Sequence, residues 1–276
     1  MTTISGVLTF RNCIKTGYPF LEAILSVLPI VDEYRINDGG SIDGTKEWLQ
    51  KLKDVFPDKI ILYDMQDYPS DRWECVSEQY NKMIEDSTGD WMFQGDADEV
   101  IHEQDIGALK AVIENISDDV DVLRFPRREI GGWMRLSGAD KPYHPCRAVR
   151  NIPGLYQKWE SHGGDEFLDE AGWIKEPRRQ KSDVMIWHLY TVFPGNNMEK
   201  WKNDATYVAT GDDHRVRIFE ERKNKRWSSG IDRVIVNPIP NLPALVKDMV
   251  GWDKYKVRGT LLDIDWLNFV TGLRYG

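Results

Sequence analysis

"DWMFQGDADEV", residues 90–100, decides how this chain is read. An apolar run ending at Phe93 is followed by Asp96 and Asp98, two positions apart. The run reads as a strand, and two carboxylates at the end of a buried strand repel each other unless a cation or strong donors offset the charge. Taken alone, such a triplet is an acidic turn. Its place among the neighbouring elements gives it more weight.

Upstream, strands and helices alternate. "ISGVLTF" (4–10) is β-rich and runs into the polar turn "RNC". In "GYPFLEAILSVLPIV" (17–31), Leu21, Ile24, Leu25 and Leu28 share one helical face before Pro29 ends the helix. "DEYRIND" (32–38) is a second strand. "NDGGSIDGTKEWLQKL" (37–52) is a Gly-rich turn into a helix that Asp43 caps, with Trp48, Leu49 and Leu52 facing inward. "KIILYDM" (59–65) is strand three. From Ser70 a helix carries Trp73, Val76, Tyr80, Met83 and Ile84 inward until "STG" breaks it. The opening stretch is strand four, Ile106 to Ile116 another helix, and "DVLRFPRR" (121–128) another strand.

This alternation implies right-handed crossovers and an α/β fold with a doubly wound, mostly parallel sheet and helices on both faces. Ligands in such sheets bind beyond the carboxyl ends of the strands. Thr9 to Asn12, Asp38 and the Asp96/Asp98 pair each follow a strand's carboxyl end, so all three converge on one crevice. The chain has no glycine-lysine phosphate loop and no G-x-G-x-x-G, which removes the commonest phosphate-binding alternatives.

Composition bounds the rest. With 276 residues, 41% of them apolar, the chain can bury a sizeable core. A net charge of -9 argues against a general nucleic-acid or anionic-membrane binder. Cys13, Cys75 and Cys146 fit neither a disulfide framework nor a zinc knuckle, and a cytoplasmic home is the simplest expectation. The start "MTTISGVLTF" does not read as a signal peptide, and no segment reaches the ~18 uninterrupted apolar residues of a transmembrane span.

"VLTFRN" (7–12), "FLEAILSVL" (20–28), "NDGGSIDGT" (37–45) and "EQYNKMIEDSTGDWMFQGDADEV" (78–100) resemble, in motif and spacing, the GT-A fold of family-2 glycosyltransferases with its Asp-x-Asp motif. Residues 4 to 105 carry the resemblance. More loosely, "FPRREIGGWMR" (125–135), "HPCRAVRN" (144–151), "WESHGG" (159–164) and "IWHLYT" (186–191) are similar to the lipopolysaccharide-core and tetratricopeptide-associated branch. The implied organisation is a GT-A domain over 1–205, with a nucleotide-sugar half (1–105) and an acceptor half (106–205), followed by a C-terminal extension over 206–276.

The resemblance implies a metal-dependent, inverting transfer of a sugar from a nucleoside-diphosphate sugar to an acceptor hydroxyl. Nucleotide-sugar contacts fall on Thr9, Phe10, Asn12, Asp38, Arg72, Asp96, Ala97 and Arg147. Asp38 matches the acid that accepts a nucleobase imide N–H, which favours UDP; its plain alternative is an Asx turn. Asn37 stands where the family has a first aspartate. Mn²⁺ or Mg²⁺ falls on Asp98 with Asp96, which also holds the ribose or a metal-bound water, and His188 is the third ligand with His162 as the alternative. Both arginines are expected to clamp the diphosphate, since a guanidinium pairs with phosphate in a fixed fork.

Where the family has a glutamate directly after its histidine, this chain has Gly163 in "ESHGGDEF". The general base that takes the acceptor's proton therefore falls on Asp165, then Glu166 or Glu160, in a loop that Gly163 and Gly164 let move. His102 and His214 read as surface residues. Trp133, Trp159, Trp173 and Trp187 could line a sugar pocket, though core packing explains any one of them.

The cluster from Arg215 to Arg226 reads as a solvated helix face or an anion-binding patch. The acceptor stays open among a saccharide, a lipid-linked glycan, a protein and a modified nucleic-acid base. Two other functions keep the sheet: a nucleotidyltransferase, and a catalytically silent relative that binds a nucleotide or polymer.

Overall fold

The computed structural model describes residues 2–16, 18–65, 74–131, 135–136, 144–160, 164–174 and 178–189. In chain order the elements are β1 (Ile4–Phe10), α1 (Cys13–Thr16), α2 (Phe20–Val27), β2 (Glu33–Asp38), α3 (Thr45–Val55), β3 (Ile60–Tyr63), α4 (Glu74–Glu85), β4 (Trp91–Gln94), β5 (Glu99–Ile101) and α5 (Ile106–Asn115). Then follow β6 (Val122–Arg124), β7 (Arg127–Gly131), β8 (Arg135–Leu136), β9 (Cys146–Arg150), β10 (Tyr156–Glu160), β11 (Gly164–Asp169), β12 (Gly172–Trp173), β13 (Arg179–Lys181) and β14 (Ile186–His188).

The central sheet runs β13-β6-β9-β4-β1-β2-β3. β1 pairs in parallel with β2 and β4, β2 with β3, and β13 with β6. Only β9, antiparallel to both β4 and β6, runs the other way, so the mostly parallel sheet read from the alternation is present. β1 is buried along its whole length because helices cover both sides of it. Ile4, Leu8 and Phe10 meet a layer that includes Ile24 of α2, Leu49 of α3 and Leu109 of α5. Val7 and Met92 pack instead with Val76, Tyr80, Met83 and Ile84 of α4. Gly6 has a steric reason: a Cβ there would lie 2.6 Å from the Tyr34 ring.

Two stretches read as single strands are each two. The ladder of β4 ends at Gln94, Gly95 N–H donates to Val7 O (3.0 Å), and a turn closed by Glu99 N–H on Asp96 O (3.2 Å) sends β5 into another sheet. That sheet runs β5-β14-β7-β8. The turn lifts Asp96 and Asp98 out of a buried ladder that could not satisfy two carboxylates. Likewise "DVLRFPRR" breaks between β6 and β7 at Pro126, which has no N–H to give a ladder. At α3, Gly44 (φ 93°) holds the cap position without a side-chain bond. Asp43, one residue earlier, accepts from Thr45 N–H (3.1 Å) and Oγ1 (2.6 Å), so it braces the turn instead of capping the helix.

The third sheet, β10-β11-β12, docks on α4 through Asn81. Asn81 Nδ2 donates to Gln157 O (3.0 Å), and its Oδ1 accepts from Gln157 N–H (2.6 Å). Among the described residues no helix is long and apolar enough to cross a membrane.

Candidate functional site

Because β1 lies between β2 and β4, the ends of all three strands meet at one edge of the sheet, with Phe10 opposite Asp38 and Val7 opposite Gln94. Asp38 is 2% exposed. Its Oδ1 accepts from Gly40 N–H (2.9 Å) and Ser41 N–H (2.6 Å), while Oδ2 is buried with no hydrogen-bond partner among the described residues. The Asx turn and an open acceptor therefore coexist in one carboxylate. A buried acceptor without a donor is costly, so such an atom calls for a ligand or a water.

Asn12, at φ 52°, clamps this turn. Its N–H donates to Ser41 Oγ (2.7 Å), and its Oδ1 accepts from Ile42 N–H (2.9 Å). The side chain expected to meet the nucleotide thus holds the loop that carries Asp38. Thr9 is similarly engaged: its hydroxyl donates to Gln79 Oε1 (2.7 Å) and accepts from Asn37 Nδ2 (3.0 Å). Asn37 also donates to Gln79 Oε1 (2.9 Å) and accepts from Met65 N–H (2.9 Å). An aspartate at 37 would have no N–H for these two acceptors, which gives the departure at this position a structural reason.

The acidic turn splits between two partners. Asp98 Oδ2 lies 3.4 Å from His188 Nε2, and Asp98 O accepts from Leu189 N–H (2.7 Å). Strand β14 brings His188 there by pairing with β5, placing His188 opposite Glu99. Asp96 instead meets the guanidinium of Arg147. Glu99 holds the same guanidinium by two bonds, Oε2 to Nε at 2.7 Å and Oε1 to Nη2 at 2.9 Å. Arg127 stands 3.7 Å from Glu99 Oε1. Arg147, expected at the diphosphate, is 1% exposed and meets the carboxylates of Asp96 and Glu99. Behind the turn, burial first and then the charges of Asp96 and Glu99 push the Tyr34 hydroxyl far above its ordinary pKa, so it stays protonated. Tyr80 Oη donates to Gly95 O (3.2 Å), and Ala97 is buried between the acids.

A carboxylate oxygen and an imidazole nitrogen this close are a donor pair suited to Mn²⁺. Asp96, which the sequence also places at the metal, meets Arg147, and among the described residues no group of three such side chains is gathered around one point. The residues present thus fit a divalent cation held by Asp98 and His188, with remaining positions left for other oxygen donors.

Of the other expected residues, Arg72 and His162 lie outside the described residues, as do Trp133, His214 and the 206–276 extension. The acids of "ESHGGDEF" are not in a loop: Glu160 ends β10 and Asp165 and Glu166 lie in β11, with Trp159 opposite Asp165 and Lys158 opposite Glu166. His102 is buried rather than on the surface, because its ring packs 6.2 Å from that of Trp187 and its Nδ1 accepts from Gln104 N–H (3.1 Å). Trp187 is itself core, under the guanidinium of Arg128 (4.9 Å). Glu99, Gln79 and Arg127 were not singled out from the sequence. For Glu99 a signal existed: a charged residue inside the apolar "EVI" run needs a buried partner.

Residues 5–145, about half of the chain, match the family model described as Glycosyl transferase family 2. Among solved structures the chain is similar to Staphylococcus aureus TarS, at 13% identity and a TM-score of 0.45, over 92% of this chain and 50% of that one. TarS 1-349 in complex with UDP-GlcNAc matches at 15% identity and a TM-score of 0.37, over 46% and 35% of the two chains. The mannosyltransferase PcManGT from Pyrobaculum calidifontis, in complex with GDP-Man and Mn²⁺, matches at 17% and 0.37, over 46% and 36%. The chain thus spans at most half the length of these proteins. No curated protein matches the sequence significantly.

Proposed function

The chain belongs to glycosyl transferase family 2, and from that premise we propose that it moves a sugar from a nucleoside-diphosphate sugar to an acceptor hydroxyl at the carboxyl edge of its central sheet. The observation that carries this reading is the buried Asp38 Oδ2, an acceptor without a donor, on the same strand-end edge as the Asp98–His188 pair.

In this reading Asp38 Oδ2 accepts the imide N–H of a uracil ring, with Oδ1 kept in place by the turn it closes. Asp98 and His188 would hold Mn²⁺ or Mg²⁺, which when bound offsets the negative charge that grows on the departing diphosphate. Asp96, part exposed beside Arg147, serves the ribose side of the donor. The acceptor approaches from the β10–β11 hairpin, where Asp165 takes the proton of the incoming hydroxyl, with Glu166 and Glu160 as the other candidates. In-line attack opposite the diphosphate inverts the anomeric carbon. Residues 1–105 would then serve the donor and 106–205 the acceptor, as in the lipopolysaccharide-core branch. Cys13 and Cys146 are both buried.

The reading is tested by thermal unfolding of the chain with a panel of nucleotide sugars, with and without Mn²⁺. A donor present at about 100 times its dissociation constant adds roughly 2.7 kcal/mol. A metal-dependent rise in melting temperature with one donor is expected; no rise with any of them contradicts the reading.

A further inference from the structure

Three acids, Asp96, Asp98 and Glu99, fall within one turn, and nothing so far gives Glu99 a part in the reaction. Its carboxylate is 5% exposed on its side chain and meets the guanidinium of Arg147 at two points, 2.7 and 2.9 Å away. An arginine this deeply buried loses its hydration and is tolerable only when carboxylates surround it. A bidentate fork also fixes its plane, because both N–H vectors are taken along set directions. With Nε and one edge of Nη2 set by Glu99, the same Nη2 reaches Asp96, whose side chain is 27% exposed. Glu99 and Arg147 come from different sheets, β5 and β9, so the pair also joins the strand carrying Asp98 to the central sheet.

We propose that Glu99 and Arg147 are positioning residues: the Glu99 fork orients the buried guanidinium, and the guanidinium aims the Asp96 carboxylate at the donor. The assignment rests on the donor reading above, in which Asp96 meets the nucleotide sugar. Neither residue of the pair touches the substrate. Their effect passes entirely through Asp96, and partners that orient a binding group in this way are worth ~10- to 100-fold in affinity or activity.

The test is a thermodynamic cycle on nucleotide binding, measured by titration calorimetry on the full chain with UDP, and with GDP if UDP does not bind, in the presence of Mn²⁺. Glu99→Gln keeps the length of the side chain and removes its charge; Arg147→Lys keeps the charge and removes the fork. Each should weaken binding by at least about tenfold in the wild-type background and have almost no further effect in an Asp96→Asn background, because coupled residues are not additive. Equal losses in both backgrounds, or no loss in either, overturn the proposal. Circular dichroism checks folding: if one variant does not fold the other carries the cycle, and if neither folds the pair is structural and the proposal is wrong. A wild-type chain that binds neither nucleotide overturns the donor reading itself, a different result from a wild type that binds and variants that bind equally well.

Discussion

His188 Nε2 stands 3.4 Å from Asp98 Oδ2, joining the end of β14 to the acidic turn that follows β4. The contact depends on the pairing of β14 with β5 rather than on closeness in sequence. It brings together a hard oxygen donor and a softer nitrogen donor, and that mixture discriminates between cations.

Removing the imidazole should therefore weaken Mn²⁺ more than Mg²⁺. His188→Ala is expected to cost the chain at least tenfold in Mn²⁺ affinity, with a smaller change for Mg²⁺, read by calorimetry with a fixed nucleotide. Equal losses for both ions, or the bias appearing in His162→Ala instead, would move the nitrogen donor elsewhere.

A second expectation follows from the way Asp38 is held. The turn N–H groups of Gly40 and Ser41 both require an acceptor at Oδ1, so in Asp38→Asn the carbonyl oxygen should take that place and the amide NH₂ should occupy the Oδ2 position. The acceptor facing the base becomes a donor. The wild type should favour UDP over CDP by about tenfold or more, since a hydrogen bond to a charged group is worth ~1.5–3 kcal/mol. Asp38→Asn should lose or reverse that preference, because cytosine presents a ring nitrogen acceptor where uracil presents an N–H. Equal binding of UDP and CDP by the wild type would remove Asp38 from the base site.

On the acceptor side, Asp165→Asn should lower turnover by ~10²- to 10⁴-fold with donor affinity nearly unchanged, because a general base touches only the incoming hydroxyl. The product of an α-linked donor should be β-linked. If Glu166→Gln or Glu160→Gln reproduces the loss and Asp165→Asn does not, the base is that residue.

The strand-and-helix alternation, the inward helix faces and the shared edge of Thr9, Asp38 and Asp96 were all legible in the sequence, because periodicity and turn residues are local. The division of labour at that edge was not. Nothing local says that Asn12 and Thr9 spend their polar atoms on a loop and on Gln79, or that Arg147 points inward. Those facts follow from which strands become neighbours. The switch of sheet after Gln94 is not legible for the same reason: Gly95 marks a turn, but an apolar run looks alike whether its strand continues or leaves. His102 reads as a surface residue because neighbouring acids suggest solvent, whereas its ring packs against Trp187 from a strand far along the chain.

Acid stability gives an expectation independent of function. Burial acts to raise the pKa of Glu33, but hydrogen bonds from Ser5 and Thr88 N–H together with Arg35 outweigh it and hold the carboxyl below its ordinary value of 4.5. A pKa lowered by folding means stability that is present above the unfolded value and lost as pH falls through the folded one. Urea unfolding should show a plateau above about pH 5 and a decline below ~4.5, and Glu33→Gln should make that decline shallower. An unchanged acid limb in Glu33→Gln would show that the carboxylate contributes nothing to it.

The most direct test of the central claim is donor turnover without an acceptor. The chain is incubated with nucleotide sugars and Mn²⁺, and the products are separated by chromatography. Slow release of nucleoside diphosphate and free sugar from one donor is expected, lost on chelation and in Asp98→Asn while that variant keeps its fold. Nucleoside monophosphate as product, no release from any donor, or release that Asp98→Asn leaves unchanged would contradict the account.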